Sequence, residues 1–237
     1  MKPILCFLLG LVFLQAHSGE IDNFFSETDQ FLKKYVSQGN VDYASIKKNK
    51  SEIDALVQSI GLMNLTSQDE SSKKAFYINA YNILVISSIV KAYPVKSPMD
   101  IQGFFDKKPY RVAGEMLTLN ALEKERLLAP TQDARLHFAL VCAAKSCPPL
   151  MSSAFKPDQL DKQLGERTKI TINDPKWLMV KSNQKQIDVS KIFEWYAGDF
   201  TRNGQTILTW INQYRTSKIP ANYKVSYYEY DWSLNGK

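Results

Sequence analysis

The chain has little of the two side chains best suited to chemistry near neutral pH: 2 histidines and 3 cysteines in 237 residues. His17 and Cys6 belong to the N-terminal stretch, and the remaining three share one segment, His137-Phe-Ala-Leu-Val-Cys142-Ala-Ala-Lys-Ser-Cys147. No further histidine or cysteine is present to complete a metal shell around His137, Cys142 and Cys147, so the sequence implies no metal and no cofactor. Arginine-rich runs are also missing. Lys33-Lys34, Lys47-Lys48, Lys73-Lys74 and Lys107-Lys108 are isolated doublets in a chain of net charge +6, the pattern of solvated faces and not of a nucleic-acid footprint. Internal repeats, low-complexity tracts and long linkers are absent as well. With 44% hydrophobic and 12% aromatic residues, the chain is expected to bury a globular core.

The N-terminus has the plan of a secretory signal. Lys2 supplies the charge, Ile4 to Phe13 the apolar run, and Ala16-His17-Ser18 the small-x-small site. Residues 1–18 are therefore expected to be removed, leaving residues 19–237 as a single exported domain, periplasmic or secreted. The apolar run is too short for a membrane-spanning helix, so no transmembrane segment is expected in the mature chain. Cys6 lies inside the run, where it is not placed for lipid attachment.

Apolar residues at helical spacing predict helices over 21–36, over 51–60 with Ser51 as cap, and from Thr66 or Ser67 to Tyr93, ended by Pro94. The last of these, apolar on nearly every side from Ile83 to Val90, reads as a buried central helix carrying Asn79 and Asn82. Val41-Asp42-Tyr43 reads as a short extended piece. Tyr110-Arg-Val and Met116-Leu-Thr-Leu flank a turn at Ala113-Gly-Glu115, a hairpin signature. Asn120 with Glu123 fits a capping box. Leu136 to Val141 reads as a buried strand, 157–168 as a helix, and Trp177–Val180 with Gln186–Val189 as a second hairpin. Helices over 192–196 and 205–214 and a strand over 224–230 follow. Front-loaded helices and later hairpins predict an α+β fold, with a buried central helix and amphipathic helices packed on a small antiparallel sheet.

If 136–142 is a strand, Cys142 points away from His137, while Cys147, followed by Pro148, suits a helix N-cap, where a thiol becomes acidic. Cys147 as nucleophile, His137 as base and an orienting group (Glu123, Asn82 or Asp231) would make a thiol enzyme. Three other readings use the same residues: a Cys142–Cys147 disulfide, a soft-metal site, or a core histidine that holds loops together. Glu123, Asn79 and Asn82 are each explained equally well by capping or by pinning backbone.

Ala75-Phe-Tyr-Ile-Asn-Ala-Tyr-Asn82 and Arg135-Leu-His-Phe-Ala-Leu-Val-Cys-Ala-Ala-Lys-Ser-Cys-Pro-Pro-Leu150 resemble the signature blocks of the domain-of-unknown-function family 547. So do Glu123 after its hairpin, Lys191-Ile-Phe-Glu-Trp-Tyr-Ala-Gly-Asp-Phe200 and Tyr230-Asp-Trp-Ser-Leu-Asn235. The resemblance implies that Asn79, Asn82, Glu123, His137, Cys142, Cys147 and Asp231 are motif positions. It implies no agreed activity. Where the family's glutamate block continues with histidine and ends in arginine, this chain has Lys124 and Leu128. Papain-like and transglutaminase-like thiol enzymes offer a fold-level analogy, yet they place cysteine where this central helix has asparagine.

Two functions are consistent with these residues. One is a thiol-dependent hydrolase or acyl-transferase of the cell envelope, with Cys147, His137, Glu123 and Asn82 catalytic and Asn79 and Asp231 binding. The other is a non-enzymatic envelope binding or scaffold domain in which Cys142–Cys147 is a structural disulfide. The substrate or envelope partner is not specified by the sequence.

Overall fold

From Ile78 to Val90 helix Glu70–Ala92 is buried on every side, because that half is mostly apolar and its polar residues, Asn79, Asn82, Ser87 and Ser88, are small and uncharged. Phe76, Ile78, Ile83, Leu84, Ile86 and Ile89 are all buried, each contributing about 1.5–3 kcal/mol. By length and composition it is the one helix among the described residues able to cross a membrane, but 83% of its most apolar window is buried inside the fold. The computed structural model describes side chains from residue 19 onward, residue 203 excepted. The backbone is described from residue 4, and the side chains of the secretory signal expected at residues 1–18 lie outside the described residues.

In chain order, α1 (Ile4–Tyr35) lays Phe24, Phe31, Leu32 and Tyr35 on the core. Gln38 and Gly39, both at positive φ, fold the chain back, pairing β1 (Val36–Ser37) with β2 (Asn40–Val41). A side chain at Gly39 would place its Cβ 2.7 Å from that of Pro149. The extended piece stops early because Asp42 accepts the Ser45 N–H at 3.0 Å and opens α2 (Tyr43–Lys48). Next, α3 (Lys50–Leu62) follows Asn49 rather than a Ser51 cap. The central helix, α4 (Glu70–Ala92), is capped by Asp69 through the Ser72 N–H at 2.7 Å, and not by Thr66 or Ser67. Tyr93 leaves it in an extended conformation, as a residue before proline must.

The first expected hairpin is present: β3 (Tyr110–Val112) and β4 (Glu115–Leu117) pair around Ala113 and Gly114, both at positive φ. Thr118, and not Asn120, caps α5 (Leu119–Ala121), accepting the Ala121 N–H at 3.1 Å. The helix then widens into a π turn over Leu122–Leu128 before α6 (Ala129–Thr131). Pro130 has no N–H to continue the ordinary ladder, and Ala129 bonds the carbonyl of Lys124, five residues back.

After α7 (Leu160–Asn173), strands β5 (Leu178–Lys181) and β6 (Gln186–Val189) form the second hairpin. Three short helices follow: α8 (Ile192–Trp195), α9 (Ala197–Phe200) and α10 (Ile207–Tyr214). They form the crossover that a parallel pairing requires, and β7 (Lys224–Tyr227) joins β6 in parallel. The class is α+β, as expected, with antiparallel hairpins and one parallel addition. Beneath these helices Phe138 stacks on Trp210 at 5.6 Å and meets Phe193 and Phe200, closing the core under the His–Cys segment.

Candidate functional site

The apolar run 136–141 is not a strand. Asp133 accepts the Arg135 N–H at 3.1 Å and opens a tight 3-10 turn over Ala134–Phe138. The following backbone is irregular, and its partner is a side chain: Asn82 donates to the Ala139 carbonyl and accepts from the Val141 N–H, each at 2.9 Å. An apolar run signals burial and leaves the backbone partner open, which is how a strand was expected here. Asn79 works the same way on the next loop, donating to Ala75 and Phe155 carbonyls and accepting from the Phe155 N–H at 3.0 Å. Both amides are thus engaged with backbone, and neither borders the cavity described below.

His137 ends the 3-10 turn, buried, with its ring 4.1 Å from that of Tyr196 and 5.3 Å from Phe200. Nε2 lies 2.8 Å from Asp199 Oδ2, and Arg202 Nη2 donates to Asp199 Oδ1 at 2.7 Å. The hydrogen bond from His137 and, after it, Arg202 hold the Asp199 carboxyl below its ordinary range, against the opposing effect of burial. An ionised carboxylate only accepts, so Nε2 carries the proton and Nδ1 is left as the acceptor, with no hydrogen-bond partner among the described residues. Asp199 is therefore the orienting group, in place of Glu123, Asn82 or Asp231. It lies in the Lys191–Phe200 block already singled out, but its pairing across sixty-two positions has no local signal.

Cys142 and Cys147 form a disulfide, with Cα atoms 6.1 Å apart. No helix begins at Pro148, so the expected N-cap is absent, and Cys147 has no thiol to serve as nucleophile or metal ligand in this form. Its buried sulfur instead accepts the N–H groups of Cys142 at 3.1 Å and Ala144 at 3.2 Å. Ala143, at φ 63°, bends the backbone so that both N–H groups converge on that one atom. The Tyr230 hydroxyl lies 3.2 Å from Cys142 Sγ and donates to Cys147 Sγ at 3.4 Å. The C-terminal segment clamps the loop: Asn235 N–H bonds Ala143, Lys145 N–H bonds Ser233, and Ser146 N–H bonds Asp231. Exposed Asp231 also accepts the Ser233 N–H at 2.8 Å, a turn-forming role away from the cavity.

A cavity of about 260 Å³ gathers what these elements present. Glu123, His137, Asn120 and Cys142 form its polar side, and Trp195, Tyr196, Tyr230, Trp232 and Phe105 its aromatic side. Glu123 arrives there from the π turn and is buried. Burial first, and then the negative charge of Glu123, push the phenols of Tyr81 and Tyr196 upward. Both hydroxyls thus stay protonated beside it. Among the described residues no Lys, Arg or His pairs with Glu123. Trp195, 47% exposed at the cavity's edge, stacks on Trp232 at 5.9 Å and packs on Tyr230 at 5.0 Å. Of the residues expected to form a site, the fold brings together Glu123, His137 and Cys142. Trp195, Tyr196, Tyr230, Trp232 and Asp199 are the additions.

The fold and site define an α+β domain with an aromatic-walled cavity beside a disulfide. Residues 65–170 match the family model described as protein of unknown function, DUF547, and this stretch of the chain belongs to that family. Comparison with curated proteins and with solved structures finds no match. The matched stretch contains the polar side of the cavity and ends before Trp195, Asp199, Tyr230 and Trp232.

Proposed function

We propose that this is an exported binding domain whose cavity takes a small organic cation, an alkylammonium. The observation that carries the reading is Glu123: a buried carboxylate in a cavity wall, without a cationic partner among the described residues and faced by aromatic rings. A buried carboxylate calls for compensation, and an ammonium supplies it by charge-assisted hydrogen bonding. The faces of Trp195, Trp232 and Tyr196 add cation–π attraction and cover the ligand's apolar part. Export is supported by the apolar N-terminal run and by a disulfide, which persists in oxidising compartments. A cysteine hydrolase has less support, since Cys147 is bonded to Cys142 and is not among the residues that border the cavity.

Calorimetric titration with ethanolamine, choline and S-methylcysteamine, against neutral isosteres of each, tests this. The amines should bind about tenfold or more tightly than the isosteres, an advantage that Glu123→Gln should abolish. Equal affinity for the neutral compounds, or an unaltered preference in Glu123→Gln, would contradict it.

A further inference from the structure

The two sulfurs of the disulfide are treated very differently by the fold. Cys142 is half-buried and borders the cavity. Cys147 is buried behind it, with its sulfur held by two converging backbone N–H groups and a tyrosine hydroxyl. N–H groups aimed at a divalent sulfur contribute little, whereas the same groups aimed at a thiolate form charge-assisted hydrogen bonds. Ala143 is held at φ 63°, a conformation that a residue with a Cβ adopts at a cost, and that conformation makes the convergence possible. A structural cross-link has no need of such a cradle around one sulfur, but a leaving thiolate does.

We infer that Cys142–Cys147 is an exchangeable disulfide, attacked at Cys142 by a low-molecular-weight aminothiol bound in the cavity, with Cys147 as the leaving sulfur. This rests on the cation-binding reading, since Glu123 would hold the ammonium of the same molecule that carries the thiol. The thiol proton passes to Nδ1 of His137, whose Nε2–H is fixed on Asp199. The thiolate attacks Cys142 Sγ, a mixed disulfide forms there, and the Cys142–Cys147 bond breaks with its electron pair going to Cys147. That thiolate rests on the Cys142 and Ala144 N–H groups and the Tyr230 hydroxyl. A second aminothiol attacks the substrate sulfur of the mixed disulfide and leaves as the symmetrical disulfide with the first. The second thiol's proton and the one held by His137 end on the two protein sulfurs. Two thiols are oxidised and the protein disulfide is reduced by two electrons.

The test uses the oxidised protein, cysteamine as the thiol and S-methylcysteamine as its unreactive counterpart, with acid quenching and peptide mass spectrometry. The mixed disulfide is expected on Cys142 and not on Cys147, at a rate about tenfold or more above that of the same disulfide in the urea-unfolded chain. Tyr230→Phe, which removes one donor from the leaving sulfur, should slow formation by about threefold. Should that variant fail to fold, the site of attachment and the native-to-unfolded rate ratio in the unaltered protein still decide. Attachment to Cys147, or a native rate no higher than the unfolded one, would overturn the inference. If S-methylcysteamine binds while cysteamine fails to exchange, only the exchange is refuted. If neither binds nor exchanges, the cation-binding reading falls with it.

Discussion

The polar and aromatic sides of the cavity are built by different means. The polar side comes from one continuous stretch of the chain, and its parts are fixed by hydrogen bonds between side chains and backbone: Asn82 donates to the Ala139 carbonyl, while Thr118 and Cys147 accept the N–H groups of Ala121 and Cys142. The aromatic side comes from the short helix α8 with Tyr196 just after it, from Phe105, and from the loop around Tyr230–Trp232; the Tyr230 hydroxyl bonds the cysteine loop, whereas the Trp195 and Trp232 side chains are held by ring contacts, Trp195 on Trp232 at 5.9 Å. Hydrogen bonds to buried backbone fix an atom in one place, and losing one strands its partner. Ring contacts fix a surface and tolerate a shift. A site assembled in this way should depend for stability on its polar side and for ligand affinity on its aromatic side.

The largest expected departure is Asn82→Ala. It strands the buried Ala139 carbonyl and Val141 N–H, so it should cost roughly 3 kcal/mol in urea unfolding, with His137 displaced as a consequence. Behind the same stretch, Asp133 pairs with Lys74 and Arg135, which hold its carboxyl down at about 2 despite burial. Its folded value is depressed, so its stabilisation is complete above the unfolded value of 3.8 and is lost as pH falls through about 2. Asp133→Asn should therefore cost about 2 kcal/mol at neutral pH and flatten the fall in stability between pH 4 and 2.

Opening the disulfide, through Cys147→Ser, removes a short covalent loop and should cost about 2 kcal/mol by chain-entropy reasoning. Trp195→Ala should be the mildest, under about 1 kcal/mol because Trp195 is 47% exposed, yet it should weaken binding of amines about tenfold. If Trp195→Ala unfolds the protein, or Asn82→Ala leaves it intact, the contrast between the two sides is lost.

How much of this could be read from the sequence follows the same division. Periodicity located the buried helix, both hairpins and the α+β class, because burial repeats along the chain. Clustering drew attention to His137 and Cys142, which are scarce residue types, and Glu123 stood out as a capping-box candidate and a motif position; all three border the cavity. The 136–141 strand failed because a side chain, Asn82, takes the place of a neighbouring strand, and nothing in the run itself records that. The capping role expected for Glu123 failed because a π turn rotates it into the cavity while Thr118 caps instead. Asp199 and the aromatic residues are joined to the site only by the tertiary fold. Their signal was the Lys191–Phe200 and Tyr230–Asn235 blocks, which could be noticed as blocks but not assigned a role.

The chain has 4 tryptophans, and they divide cleanly. Trp195 and Trp232 border the cavity, whereas Trp177 and Trp210 lie in the buried cluster around Phe138. Fluorine NMR of the 5-fluorotryptophan protein, titrated with S-methylcysteamine, therefore tests most directly whether this cavity is the working site. The resonances of Trp195 and Trp232 should move together and saturate, with those of Trp177 and Trp210 unmoved. Four static resonances at saturating amine, or shifts confined to the buried pair, would contradict the account.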